Sequence, residues 1–245
     1  MILSAHQPAY LPWLGYFEKM ARADIFVYLD TVQFEKNSFT NRNKIKTPRG
    51  PQWLTIPVRI KGHTKCTVRE LFIDEAQLWR SRHLKAIEMN YRKAPHFKEC
   101  FPRLEAVLSI QESNLAELCW WQLQFWLGEF DIKSQVVRSS ALPVHSKKSD
   151  LVLDLCRHFG ADHYVSGTLG RNYLDEASFA AAGIKIEYQN FQHPVYPQLW
   201  NNFEPYMSIV DYWMNCGPGA LSFSEGLPHN YPNEKGAEQG RAHGL

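Results

Sequence analysis

Two histidines stand where a proton transfer could be staged. His6 lies in the run His6-Gln7-Pro8-Ala9-Tyr10-Leu11-Pro12-Trp13, and His193 in His193-Pro194-Val195-Tyr196-Pro197-Gln198. Each stands after an expected strand, near a proline and a tyrosine. Imidazole titrates near neutrality, so either ring could act as acid, base or partner of a developing oxyanion. A single histidine serves as readily in a packed, structural role; two at neighbouring strand ends shift the balance toward function. Asp30, followed by Thr31 and Gln33, could orient His6, hold a metal or cap the turn at Thr31, and these roles stand side by side. Cys216 has no histidine near it in sequence, which disfavours a cysteine nucleophile.

Anion recognition is the second chemistry the residues suggest. From Lys36 to Arg69 there is no acidic residue, while the stretch holds Lys36, Arg42, Lys44, Lys46, Arg49, Arg59, Lys61, Lys65 and Arg69. A solvated basic hairpin would explain such a run. Asn41-Arg42-Asn43-Lys44, however, offers fixed amide donors beside cations, as phosphate recognition needs. Ser166-Gly167-Thr168-Leu169-Gly170-Arg171-Asn172 has two glycines that would let backbone N–H groups approach an anion, with a helix start behind them. It is neither a Walker motif nor a dinucleotide fingerprint, and a plain glycine-rich turn fits it equally well. Arg171 tips it toward phosphate.

The elements that must position these groups follow an α/β rhythm. Residues 2–5 read as a buried strand, 13–23 as a helix with Pro12 suited to its first turn, and 25–29 as a second strand ending at Asp30. The short connection is the βαβ pattern of a parallel sheet. Residues 53–60 and 66–73 alternate like the arms of a hairpin turning at 61–65. From 75 to about 130 the pattern is mostly helical, broken near Pro95 and Pro102. Its Trp120, Trp121 and Trp126 read as core rather than as a ligand platform. Then come a strand at 134–138, a helix at 148–159 closed by Gly160, a strand at 163–166, a helix at 173–182, a strand at 184–188 and a helix at 207–216 stopped by Gly217-Pro218. In the last helix Asp211 is placed facing solvent. The expected architecture is a Rossmann-like parallel sheet with flanking helices, an inserted β-hairpin and a mostly helical middle segment. It forms one α/β domain over 1–225, with insertions at about 36–75 and 76–130 and a disordered tail over 226–245. Ligands of such sheets lie beyond the carboxyl ends of the strands, where His6-Gln7, Asp30-Thr31-Gln33, Arg138-Ser139-Ser140, Ser166 to Asn172 and His193 to Tyr196 would converge.

Composition bounds the rest. The 245 residues are 44% hydrophobic and 13% aromatic, enough for a sizeable core, and the formal net charge of +2 is too small to argue for nucleic acid or membrane partners. The local charge and few aromatics at 36–69 also disfavour polynucleotide binding. Five scattered cysteines without a CxxC pair disfavour structural zinc and suggest free thiols in a reducing cytoplasm. No signal peptide or membrane-spanning run is visible.

At these residues the chain resembles the WbqC-like proteins. The resemblance runs through His6 to Trp13 with Gly15-Tyr16-Phe17, Ala23-Asp24 to Gln33-Phe34, Asn41 to Ile45, Gly160-Ala161-Asp162 to Ser166-Gly167, Gly170 to Leu174, and His193 to Gln198, with Phe203, Ser208 and Asp211. It implies a cytoplasmic prokaryotic protein tied to surface polysaccharide synthesis of the O-antigen type. The opening is also similar at fold level to nucleotidylyltransferase-like enzymes of the HIGH superfamily, including pantothenate synthetase. There a histidine loop holds nucleotide phosphates, and a later Ser/Arg loop closes over them. Ala9 stands where the second histidine of that motif would be.

The expected site therefore comprises His6, His193 and Asp30 for catalysis. For phosphate and substrate it adds Gln7, Tyr10, Gln33, Arg42, Asn43, Lys44, Ser166, Gly167, Arg171, Asn172, Tyr196 and Gln198, with no metal ligands of the protein's own. ATP or a nucleotide sugar, with Mg, would be the cofactor to look for, and a small phosphate-bearing molecule the partner. A transferase or ATP-dependent ligase moving an acyl or aminoacyl group to an amino sugar is one reading. A non-catalytic nucleotide-binding or assembly protein is the other.

Overall fold

A computed structural model describes residues 1–59 and 66–219. Short apolar runs form its centre. The strands β1 (Ile2–His6), β2 (Ile25–Tyr28), β5 (Gln135–Arg138), β6 (His163–Ser166) and β7 (Lys185–Tyr188) make one sheet in the order β5-β2-β1-β6-β7. Every pairing in it is parallel. Buried on both faces, the central strands carry apolar residues at successive positions, as parallel sheets require. Ile25 and Val27 face one core with the helices α5 (Lys148–Phe159) and α6 (Glu176–Ala181). Phe26 and Tyr28 face the other, with α1 (Leu14–Ala21), α4 (Leu115–Glu129) and α7 (Ile209–Cys216). Ser4, fully buried in β1, gives its hydroxyl proton to the Val165 carbonyl at 2.8 Å.

The β-hairpin lies earlier than the alternation predicts. Its arms are β3 (Arg42–Thr47) and β4 (Gly50–Thr55), paired antiparallel. Thr47-Pro48-Arg49-Gly50 is the turn, with Pro second and Gly fourth, and Gly50 has φ +95°. The turn expected at 61–65 lies outside the described residues. Residues 66–73 do not form the second arm. Thr67 and Glu70 cap a 3-10 turn (Val68–Glu70) reciprocally, and that capping box ends the extended run. Only single bridges remain there, such as Val58 to Ile73.

The helical middle is α2 (Trp79–Tyr91), α3 (Phe97–Leu108) and α4. Pro95 separates the first two as expected, but Pro102 sits inside α3. It is on the exposed face, where the Lys98 carbonyl it leaves without a donor can take water. Trp126 is buried, Trp120 lies under the Arg138 guanidinium at 4.2 Å, and Trp121 is 50% exposed. Trp121 faces away from the stripe of Leu118, Cys119, Gln122, Leu123 and Trp126, so it is not core. Other boundaries shift by a residue or more. Trp13 is the N-cap of α1, which puts Pro12 outside the helix. The helix expected at 173–182 is shorter, α6 over Glu176–Ala181 capped by Asp175, and a 3-10 turn (Thr168–Asn172) precedes it. The tail beyond Gly226 lies outside the described residues.

Asp211 does not face solvent. It is fully buried in α7 and accepts from Tyr91 Oη at 2.7 Å, Tyr196 Oη at 2.8 Å and Gln198 Nε2 at 2.7 Å. Beside it, Lys46 Nζ donates to Gln198 Oε1 at 2.9 Å and to the carbonyls of Trp200 and Asn202. Trp200 and Asn202 adopt left-handed φ of +64° and +61° in the loop around the ammonium. This cluster ties the hairpin, α2, α7 and the 196–204 loop together. Asp211→Ala would leave two buried phenols without their acceptor. We expect it to lower stability by about 3 kcal/mol or more, read as a fall in the urea midpoint at unchanged m. An unchanged midpoint would show the network to be dispensable.

Candidate functional site

In a sheet of this order the chain leaves β1 toward β2 and later returns to the other side at β6. The carboxyl ends of β1 and β6 therefore flank the topological switch point, where open α/β sheets bind ligands. His6 ends β1, and Ser166-Gly167 ends β6.

The side chain that fills this notch is Lys19, on the sheet-facing side of α1. It is 3% exposed, donates to the Ala5 carbonyl at 2.9 Å, and has no carboxylate within 4 Å among the described residues. A Cβ built on Gly167 would stand 4.0 Å from its Nζ, so the ammonium lies against the glycine turn. Gly15, one turn earlier, packs against Phe191, whose ring atoms would crowd a Cβ at 3.0 Å, and this lets α1 approach closely. Burial pulls the Lys19 pKa down to about 7, with Glu18 opposing. The His6 ring gives its Nδ1 proton to the Gln7 carbonyl at 2.8 Å and packs edge-on against Trp13 and Tyr16. Burial first, then the Lys19 charge, lowers its pKa to about 3, against the Gln7 bond. The imidazole is thus neutral, with its Nε2 lone pair available.

The glycine turn is built around Ser166. Its hydroxyl donates to the Gly167 carbonyl at 3.0 Å, and a Cβ on Gly170 would lie 2.0 Å from that oxygen, so only glycine fits. A 3-10 turn follows, and the next α-helix opens with Asp175 and Glu176, which do not suit an anion. Arg171 is exposed and stacks on Tyr188 at the end of β7, 4.0 Å from the ring centroid, with Asn172 exposed beside it.

Other expected residues lie elsewhere. Asp30, buried at the end of β2, is held by Ser139 Oγ at 2.8 Å, Ser140 N at 2.9 Å and Ser140 Oγ at 2.6 Å, and clasps β2 to β5. Gln33 is exposed and bridges to Thr67. Tyr10 is buried against His83, 2.8 Å from its Nδ1. Gln7 accepts from Thr40 Oγ1, and Asn43 donates to the Leu11 carbonyl at 2.6 Å, so the hairpin braces the histidine loop. Arg42 and Lys44 lie on the outer face of the hairpin against Trp53. Tyr196 and Gln198 belong to the Asp211 network. His193 uses both nitrogens internally, Nδ1 with the Pro194 carbonyl and Nε2 accepting from Tyr206 N at 3.1 Å. The structure thus brings His6, Ser166 and Gly167 together, adds Lys19, and keeps Asp30, Tyr196 and Gln198 in separate clusters. Among the described residues no three His, Cys, Asp or Glu side chains group as metal ligands would.

Lys19 was missed from sequence. Its signal was a charge within the stripe Gly15, Tyr16, Lys19 and Met20, directly after the strand–loop–helix opening.

The family profile of the WbqC-like proteins matches residues 7–223. Rv1507c of Mycobacterium tuberculosis, described as an uncharacterized protein, is 36% identical over 219 residues, covering 89% of this chain and 94% of its own. No solved structure matches. No helix among the described residues is long and apolar enough to cross a membrane.

The Lys19 charge carries a linkage with a definite sign. Between about 7 and its ordinary 10.5, the unfolded chain holds a proton that the folded chain lacks, so this group makes stability rise with pH across that window. Below it, the folded protein carries the full cost of the buried charge. Lys19→Met should stabilise the unliganded protein by about 3 kcal/mol near pH 6, the gain shrinking toward about pH 10; chemical denaturation at both pH values reads it. A gain independent of pH would contradict the buried charge. His6 should show no inflection in a nitrogen NMR titration over roughly pH 5 to 8, keeping its proton on Nδ1.

Proposed function

We propose that this chain, which belongs to the WbqC-like protein family, binds a phosphate-bearing, nucleotide-activated small molecule in the notch between β1 and β6. There it transfers an acyl or aminoacyl group to an amino sugar of a surface polysaccharide. The observation that carries this reading is Lys19, a buried ammonium with one carbonyl partner at the switch point. An anion is what such a group lacks. In the transfer, the amino nitrogen of the acceptor attacks the acyl carbon and the bond from that carbon to the phosphate oxygen breaks. The leaving phosphate keeps the electron pair and rests against Lys19. The proton lost from nitrogen passes to His6 Nε2 and on to water. Ser166 and Gly167 shape the floor, and Arg171 is the exposed cation stacked on Tyr188 at the β7 end. The five cysteines are free, which fits a cytoplasmic site for this chemistry.

A non-catalytic binding protein is the second reading, favoured by Ala9 and by the internal engagement of His193 and Asp30. Calorimetry against ATP, CTP and nucleotide sugars, with and without Mg, tests the phosphate site. Binding to at least one is expected, and Lys19→Met should weaken it by about tenfold or more. Folded protein that binds none of them overturns the reading. His6→Gln separates the two readings: an enzyme keeps binding but loses polysaccharide complementation in cells, whereas a binding protein keeps both.

A further inference from the structure

A strip of aromatic rings leads away from the notch. From His6 the ring centroids step 5.5 Å to Trp13, 5.0 Å to Phe39 and 5.8 Å to Trp53. Phe39 is 40% and Trp53 42% exposed, and neither belongs to the packed cores. Large rings left in water side by side forgo burial that the fold obtains for most of its other rings. The strip is also positive. The Arg42 guanidinium lies 4.3 Å from the Trp53 centroid and Lys44 Nζ 5.7 Å. Lys44 has no carboxylate within 4 Å among the described residues, and the sequence from 36 to 69 carries no acid.

Partly exposed flat rings with cations at their margin suit a planar group joined to an anion. The strip runs through three rings from the notch histidine, so its occupant is continuous with that of the notch. We infer that Phe39 and Trp53 form the base subsite of a nucleotide whose phosphates lie at the β1/β6 notch. Arg42 lies over the Trp53 ring; the exposed part of that ring and of Phe39 is left for the base, and Lys44, over the same ring at 5.7 Å, meets its polar edge or the ribose phosphate. The assignment rests on the notch being a phosphate site.

The test compares AMP, CMP and UMP with ribose 5-phosphate, which keeps the phosphate and lacks the base, by calorimetry on the full chain. At least one nucleotide should bind about tenfold or more tightly than ribose 5-phosphate. In Trp53→Ala, and in Phe39→Ser, that advantage should fall while ribose 5-phosphate binding is unchanged. Trp121→Ala, on the exposed side of α4, should alter neither. If ribose 5-phosphate binds and the base adds nothing, or the advantage survives both substitutions, the strip is not a base subsite. If neither the nucleotides nor ribose 5-phosphate bind, the phosphate reading of the notch falls and this assignment falls with it.

Discussion

An ammonium group carried out of water must be answered by acceptors, and this chain does so twice with opposite results. Lys46 is enclosed completely. Gln198 and two carbonyls take its protons, and Asp211 stands behind them, itself held by two tyrosines. The surrounding loop bends through left-handed conformations at Trp200 and Asn202 to bring those carbonyls in. Lys19 receives one carbonyl and no carboxylate within 4 Å among the described residues. Desolvation at this depth disfavours the charged form by several kcal/mol unless it is paired. A chain able to build the Lys46 cage has left Lys19 incomplete at the edge where parallel sheets take their ligands, and the rest of the site is arranged around that gap.

The sheet order explains why the gap is there. Since β1 is central and its neighbours are reached in opposite directions, the chain parts at the carboxyl ends of β1 and β6. The helix α1 closes over the gap from one side, brought near by Gly15. The hairpin, far from being an appendage, braces the histidine loop through Asn43 to Leu11 and Thr40 to Gln7. Asp30 does the same at the other edge, clasping β2 to β5 through two serines. These polar residues resemble catalytic ones in sequence because both kinds sit at strand ends with hydroxyls and amides around them.

That ambiguity sets the limit of what could be read in advance. The central strands were legible, since Ile25 to Tyr28 and His163 to Ser166 are short apolar runs bounded by turns, and Gly160 closes its helix at φ +66° as a left-handed cap. The hairpin was misplaced because alternation at 66–73 imitates a strand, while Thr67 and Glu70, a capping box, turn the chain there. Pro102 reads as a breaker, yet its position on an exposed face removes the penalty. Asp211 reads as a solvated acid because its partners Tyr91, Tyr196 and Gln198 are distant in sequence or on another element. No local pattern reports such a long-range network.

His6 gains its meaning from the same contrast. In a histidine pair the second ring would share the anion and the proton traffic; here Ala9 is buried and gives the position to packing. Lys19 reaches the same strand end from the following helix. The Lys19 charge in turn helps keep His6 neutral, so the two groups divide the work. In the proposed reaction the cationic one would take the anion, and the other would offer a lone pair for a proton. An incoming anion would favour the charged form of Lys19 and ease its hold on His6, raising the affinity of both for protons at once. On the proposed reading the site is costly when empty and becomes complete only with its ligand. Lys46, enclosed by Gln198 and two carbonyls, shows how this fold satisfies a buried lysine without a ligand.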